Sequence, residues 1–286
     1  MKKISIIIPS LNQGIFIEKT ITSLLEQNYP NVEIIVMDGG STDTTISILK
    51  KYESVVKWIS EKDSGQSNAI NKGLRISSGE IIGFLNSDDY LLPGSLNAVA
   101  EIFEDENILW LTGDYRIIDS NEKPIQSFVV KYKRFLRKFS SRNLLLITNF
   151  IIQPSTYWRK SFSNQIGNFN ESLKFVMDYD YWLRAYQYST PKILNKPLSA
   201  FRIHKNSKGG SRYKEQFDEE FSVCTSYTEN RILQWLHLLH NLIIVFSYKL
   251  IKKSIIPIGC IHEKSHLYRY YDNHPHFRIT DYCRIL

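Results

Sequence analysis

The stretch "IIGFLNSDDYLLPG" (81–94) runs an apolar segment straight into Asn86, Ser87, Asp88 and Asp89. Adjacent like charges repel, and a turn needs only one Asp or Asn as a local backbone acceptor. Hard divalent cations such as Mg²⁺ or Mn²⁺ use carboxylate oxygens and share their other positions with water and substrate phosphates. Asp88, or Asp88 with Asp89, has the chemistry for such an ion, which would stabilise a departing diphosphate. A solvated turn is the competing reading. In "DGGSTDTT" (38–45), Asp38 closes a second apolar run and Gly39-Gly40 allow a tight turn with close backbone approach. Asp43 could cap a following helix, so an ordinary strand-to-helix turn also accounts for this segment. Neither G-x-G-x-x-G nor a Walker A loop is present, so phosphates here would need a metal or basic side chains.

These residues must be placed by regular elements. Short apolar runs at 3–9, 32–38, 55–60, 80–86 and 108–114 read as strands. Segments with helical spacing lie between them at 16–27, 44–52, 65–77 and 94–105. This alternation implies crossover units and a parallel α/β sheet covered on both faces. In such sheets ligands bind beyond the carboxyl ends of the strands. Three strand ends, at "PSLN" (9–12), "DGGSTD" (38–43) and "NSDD" (86–89), converge there. Residues 114–130 read as a hairpin around Ser120-Asn121-Glu122, 131–142 as a basic segment with Phe135, Leu136 and Phe139 at helical spacing, and 211–253 as helical.

The 286 residues suit one large domain or a domain with an appendage, and 43% hydrophobic content is ample for a core. Residues 1–130 hold 11 Lys/Arg and 18 Asp/Glu, and residues 131–286 hold 25 and 11. The positive second half points to an anionic partner: nucleic acid, acidic lipid or a phosphorylated substrate. The three cysteines, Cys224, Cys260 and Cys283, have no metal spacing and suit a reducing compartment. Pro9 stops the first apolar run too early for a signal peptide, which reads as a cytosolic start. The apolar core of 233–253 is shorter than the roughly 20 residues a membrane span needs.

Six segments in order, "SIIIPSLNQG", "VMDGGSTDTT", "SEKDSGQSNAINKGL", "FLNSDDYLLPGSL", "IIQPSTYWRKS" with "FVMDYDYWLRA", and "FRIHKNSKG", resemble the inverting family 2 glycosyltransferases over residues 3–209. The third resembles the subgroup motif E-x-D-x-G-x-x-x-A-x-N-K-G. The resemblance implies a GT-A nucleotide-diphospho-sugar transferase fold with a mostly parallel central sheet. Residues 1–115 would form its nucleotide-sugar half and 116–210 its acceptor half, with 211–286 a helical C-terminal extension. It implies a donor site with Pro9, Ser10, Asn12, Asp38, Asp63, Asn71, Lys72, Asn86, Ser87 and Asp88, and a general base, Asp178, with Asp180 as the rival. Mn²⁺ or Mg²⁺ would be held by Asp88 and His204, with Arg202 and Lys205 offsetting phosphate charge. The sequence departs from the family pattern at Asn68, Ile70, Asn86 and Met177.

The implied activity moves a sugar from a nucleotide-diphospho donor, of the UDP class, to a glycan or polyprenyl-linked acceptor in surface polysaccharide synthesis. A protein of the same fold that binds nucleotide sugar or glycan with little turnover is the alternative. Nucleotidyl transfer is disfavoured because "PSLNQG" carries no Lys or Arg. Basic residues interleaved with aromatics in 131–142 suit an anionic membrane surface, giving a cytoplasmic protein peripheral to the inner face. No nucleic-acid reader motif is present. Trp158 and Trp182 read as core, and Tyr157 and Arg159 as acceptor-facing.

Overall fold

The computed structural model describes residues 1–204, 207 and 213–255. The first half alternates as its periodicity dictates: β1 (Ile4–Ser10), α1 (Ile17–Leu25), β2 (Val32–Asp38), α2 (Thr45–Lys51), β3 (Lys57–Ser60), α3 (Gln66–Ile76) and β4 (Ile81–Phe84). β1 pairs in parallel with β2 on one side and β4 on the other, and β2 carries β3. Side chains alternate across this sheet. Ile6, Ile8, Ile34 and Val36 enter one core with Ile21 and Leu24 of α1. Ile7, Ile35 and Met37 enter the other, against Ala69, Ile70 and Leu74 of α3. A Cβ on Gly73 would lie 2.5 Å from Ile7 Cγ2, so only glycine lets α3 pack this closely on β1.

The second half is mixed: β5 (Tyr90–Leu91), α4 (Ser95–Ile102), β6 (Trp110–Ile118), α5 (Ser127–Arg137), α6 (Arg142–Ile147), β7 (Thr156–Arg159), α7 (Lys160–Ile166), α8 (Met177–Ala185) and β8 (Lys192–Arg202). The eight strands run β3-β2-β1-β4-β7-β6-β8-β5. The expected fifth strand, β6, keeps the common direction, but β7 is inserted antiparallel between it and β4. β8 then pairs in parallel with β6 and antiparallel with β5.

The expected hairpin is reduced to a turn at 119–123 and one bridge, Ile118–Pro124. The chain then enters α5, because Val129 and Val130 have a core of Tyr115, Ile117 and Ile152 to cover. Trp158 and Trp182 are fully buried, as expected of core. Tyr157 and Arg159 are buried too, which corrects the acceptor-facing expectation; Arg159 is bonded to the carbonyls of Phe103, Asp105 and Ile108.

Two helices follow, α9 (Tyr213–Tyr227) and α10 (Arg231–Ile255). The expected helix over 211–253 breaks at 228–230, where Asn230 Oδ1 accepts the Ile232 N–H at 2.9 Å and caps α10. One compact unit comprises Met1–Asn241, and a second comprises Leu242–Leu286. No helix among the described residues is long and apolar enough to cross a membrane. The domain boundary expected at 210, Lys205, Cys260, Cys283 and the extension past 255 lie outside the described residues. Cys224 is buried and free.

Candidate active site

The adjacent aspartates after β4 have different environments. Asp89 is buried, and its Oδ1 accepts the Arg202 N–H at 2.8 Å. Thr20 Oγ1 donates to the carbonyls of Ser87 and Asp89, at 2.9 and 2.6 Å, which fixes the loop from below. Burial, and secondarily Asp88, push the Asp89 carboxyl well above the usual carboxylate range. Asp88 points elsewhere, with Oδ2 3.0 Å from Nε2 of His204. His204 lies just past β8, its ring 4.7 Å from that of Phe16 and its backbone N–H donating to Ser207 Oγ. Arg202 is buried and donates from Nε to the Asp88 carbonyl at 2.9 Å and from NH2 to Glu122 Oε1 at 3.2 Å. It therefore braces this loop instead of offering a free charge to phosphate.

The Asp88–His204 separation fits a hard divalent ion. Neighbouring ligands on an octahedron with bonds of about 2.1 Å lie about 3 Å apart. Among the described residues no group of three or more His, Cys, Asp or Glu could hold a metal. Two protein ligands would leave the remaining positions to water and to phosphate oxygens. Asn86 accepts from Gln66 Nε2 at 2.7 Å and reaches Gln153 at 3.3 Å, so it ties the loop to the start of α3.

The β1 and β2 ends form a neighbouring wall. Ser10 Oγ is buried beside Pro9 and bonds to no other described group. Asn12, at φ 53°, accepts the Thr42 N–H on Oδ1 at 2.8 Å. Asp38 is buried and accepts from Ser41 N–H at 2.8 Å and Ser60 Oγ at 2.6 Å, so it holds the loop in shape. A Cβ on Gly39 would come within 2.8 Å of Asp63 Oδ2, so glycine here admits the carboxylate. Asp63 also accepts the Gly65 N–H at 2.9 Å, just before α3.

Asp178 is half-buried in the first turn of α8. Burial pushes its carboxyl up, while the Tyr179 N–H, the Lys133 ammonium of α5 and the Asn149 side chain oppose that shift. Asn149 Oδ1 accepts from Ile151 N–H at 3.2 Å, which leaves its NH₂ to face Asp178. The same Asn149 donates its backbone N–H to Glu220 of α9, a buried carboxyl pushed up to about 7 by burial. Glu219, one residue earlier, accepts the N–H groups of Lys174, Phe175 and Val176 at 2.7–3.0 Å and satisfies the start of α8. Asp180 is committed to Arg184 at 2.8 Å and Tyr227 Oη at 2.7 Å, which leaves Asp178 as the available carboxylate.

α3 links these groups, since Gln66 bonds Asn86 and Ser67 touches Met177. Two expected donor residues face other partners. Asn71 is buried and bonds Phe169 and Glu171, and Lys72 pairs with Glu61 at 2.5 Å. Glu219, Glu220, Lys133 and Asn149 were not singled out in the sequence. "QFDEEF" (216–221) reads as a solvated helical face, and only Phe221 and Cys224, buried on the same side, hint that Glu220 turns inward.

A mostly parallel sheet covered on both faces, with polar loops gathered at its strand ends, is an α/β scaffold of the ligand-binding class, and the family model for glycosyl transferase family 2 matches residues 5–167. The chain belongs to glycosyl transferase family 2. It is 26% identical over 262 residues to the Escherichia coli UDP-Glc:alpha-D-GlcNAc-diphosphoundecaprenol beta-1,3-glucosyltransferase WfgD, covering 87% of this chain and 98% of that protein. An uncharacterized glycosyltransferase of Rickettsia prowazekii, RP339, is 30% identical, with 70% of this chain and 64% of that protein covered. The chain spans only 37% of the length of another such relative, RC0461 of Rickettsia conorii.

Solved structures share the fold. The mannosyltransferase PcManGT of Pyrobaculum calidifontis, in complex with GDP-Man and Mn²⁺, has a TM-score of 0.65 at 17% identity, covering 84% of this chain and 70% of its own. Residues 1–349 of S. aureus TarS, in complex with UDP-GlcNAc, give 0.62 at 20%, covering 82% and 70%.

Proposed function

We propose that this protein is an inverting glycosyltransferase, with a nucleoside-diphosphate sugar of the uridine class as donor and a glycan or polyprenyl-linked acceptor of surface polysaccharide. The observation that carries this reading is the Asp88–His204 pair, 116 positions apart in sequence and 3.0 Å apart at the strand ends. Asp88 and His204 would hold Mn²⁺ or Mg²⁺. When bound, that ion supplies Lewis-acid stabilisation of the departing diphosphate.

Ser10, with its unpartnered buried hydroxyl, and the loops carrying Asn12, Gly39 and Asp63 would receive the nucleoside. Asp178 takes the proton of the acceptor hydroxyl as that oxygen attacks the anomeric carbon, and a single displacement inverts the centre. Its raised basicity suits this role, with Lys133 and Asn149 favouring the ionised form. The names of two similar proteins support the donor class: TarS was solved with UDP-GlcNAc, and WfgD is named for UDP-Glc. WfgD's diphosphoundecaprenol acceptor supports a lipid-linked one, and the Mn²⁺ in PcManGT supports a metal. Attachment to the inner membrane surface follows from such an acceptor.

The test is release of UDP from a panel of UDP-sugars with Mn²⁺, comparing wild type with Asp178→Asn. Losing the base should slow turnover on the order of 10²–10⁴-fold with donor affinity unchanged. Undiminished turnover in the variant would remove Asp178 from the role. Donor binding with no release by wild type, even at high enzyme concentration, would mean a binding protein of the same fold.

A further inference from the structure

α5 carries Phe128, Tyr132, Phe135 and, just past its end, Phe139, spaced i, i+4, i+7 and i+11, so they share one side of the helix. All four are between 37% and 61% exposed, and the rings of Phe135 and Phe139 meet at 5.2 Å. A core-packed helix normally shows its polar side to water. Here the inward side already has its core partners: Val129 and Val130 pack on Tyr115, Ile117 and Ile152, and Leu136 joins the main core. Phe128, Phe135 and Phe139 therefore lie outside the core, and Tyr132 meets His240 at its edge. Contiguous exposed apolar surface of this kind marks an interaction site.

Its charge identifies the partner. Lys131 and Lys138 are exposed along the same stretch, and residues 127–142 contain no Asp or Glu. Exposed aromatics edged by lysines on one convex helix suit the headgroup region of an anionic bilayer. The stripe is also rigidly held. Arg137 bonds Asp114 at 2.6 Å, Arg134 pairs with the same carboxylate, and Tyr132 Oη lies 3.0 Å from His240 Nε2. On the inward side of the same helix, Lys133 faces Asp178.

We infer that the Phe128–Tyr132–Phe135–Phe139 stripe docks on an anionic lipid bilayer, which sets the candidate base one helix away from an acceptor carried in that bilayer. The second clause rests on the transferase reading; the first does not.

The full chain is sedimented with phosphatidylcholine vesicles with and without phosphatidylglycerol, in the absence of donor and acceptor. Wild type should partition to the anionic vesicles only, and the triple variant Phe128→Ser, Phe135→Ser, Phe139→Ser should stay in solution. Each lysine near an anionic surface is worth about 1 kcal/mol, so Lys131→Gln with Lys138→Gln should weaken binding roughly thirtyfold. Urea unfolding confirms that both variants remain folded. No binding by wild type, or binding that the variants leave intact, overturns the proposal. So does a triple variant that merely turns a dimer into a monomer by light scattering, since the stripe is then a subunit contact. A negative vesicle result leaves the transferase reading standing, because UDP release is measured separately.

Discussion

The neighbouring pairs Asp88-Asp89 and Glu219-Glu220 show how position, at equal chemistry, assigns roles. Asp89 and Glu219 spend their oxygens on backbone N–H groups and shape the chain, while Asp88 turns to the His204 ring and Glu220, which takes one backbone N–H from Asn149, also faces the charged groups Lys133 and Asp178. Glu220 faces Lys133 of α5, Asp178 and Tyr179 of α8 and Cys224 of its own helix, with Arg137 and His240 beyond Lys133. Its carboxyl rises from 4.5 to about 7 in the fold, so the folded state holds this proton longer than the unfolded chain. Stability from this group is thus full below pH 4.5 and falls as pH rises to about 7, by up to about 3 kcal/mol. His237, pushed down to about 4 by burial, acts oppositely between pH 4 and 6.5, so wild type alone does not isolate the effect. In urea unfolding, the stability of Glu220→Gln minus that of wild type should climb between pH 5 and 8. A flat difference would show that Glu220 is solvated. Asp88 was legible because it follows an apolar strand directly, whereas Glu220 was not, since nothing in "DEEF" separates a buried glutamate from an exposed one. Asn68, one of the departures from the family pattern, donates to Glu171 at 2.9 Å, so a carboxylate reaches that position from a segment a hundred residues later.

Among the elements, the parallel half was legible because a strand covered on both faces is continuously apolar and its crossover helices keep a 3.6-residue period. The antiparallel entry of β7 was not, because "STYWRK" has neither period and strand direction follows from the path of residues 119–155 between β6 and β7. Segment 114–130 misled for a related reason: its turn chemistry is real, but the core offered by Tyr115 and Ile117 draws Val129 and Val130 into a helix. α5 depends on one buried ion pair, Arg137 to Asp114, with side chains 1% and 2% exposed. Removing one partner of a buried pair strands the other charge, at about 3–5 kcal/mol. Asp114→Asn should lower the unfolding free energy measured in urea by that much and also weaken vesicle binding. A loss below about 1 kcal/mol would mean that the Arg137 guanidinium reaches water or another partner once the carboxylate is gone, and that the pair is not a buried anchor of α5.

At the scale of the whole molecule, the acidic first half and basic second half divide the work in the proposed reading. The first contributes Asp88 and the loops of Asn12, Asp38 and Asp63. The second contributes His204, Asp178 and the aromatic, lysine-edged side of α5. The asymmetry, 11 Lys/Arg against 18 Asp/Glu before residue 131 and 25 against 11 after it, left nucleic acid, lipid and phosphorylated substrate open, because charge alone carries no shape. The fold brings Asp88 and His204 together, and every step proposed at the strand ends depends on that meeting. The most direct measurement is thermal unfolding of wild type and Asp88→Ala with UDP or GDP, each with Mn²⁺, Mg²⁺ or EDTA. Ligand at 100 times its Kd adds about 2.7 kcal/mol, a readily seen shift. UDP should stabilise wild type only with metal and leave Asp88→Ala unmoved. No shift with either nucleotide, or one indifferent to both EDTA and Asp88, would contradict a metal-assisted donor site at these strand ends.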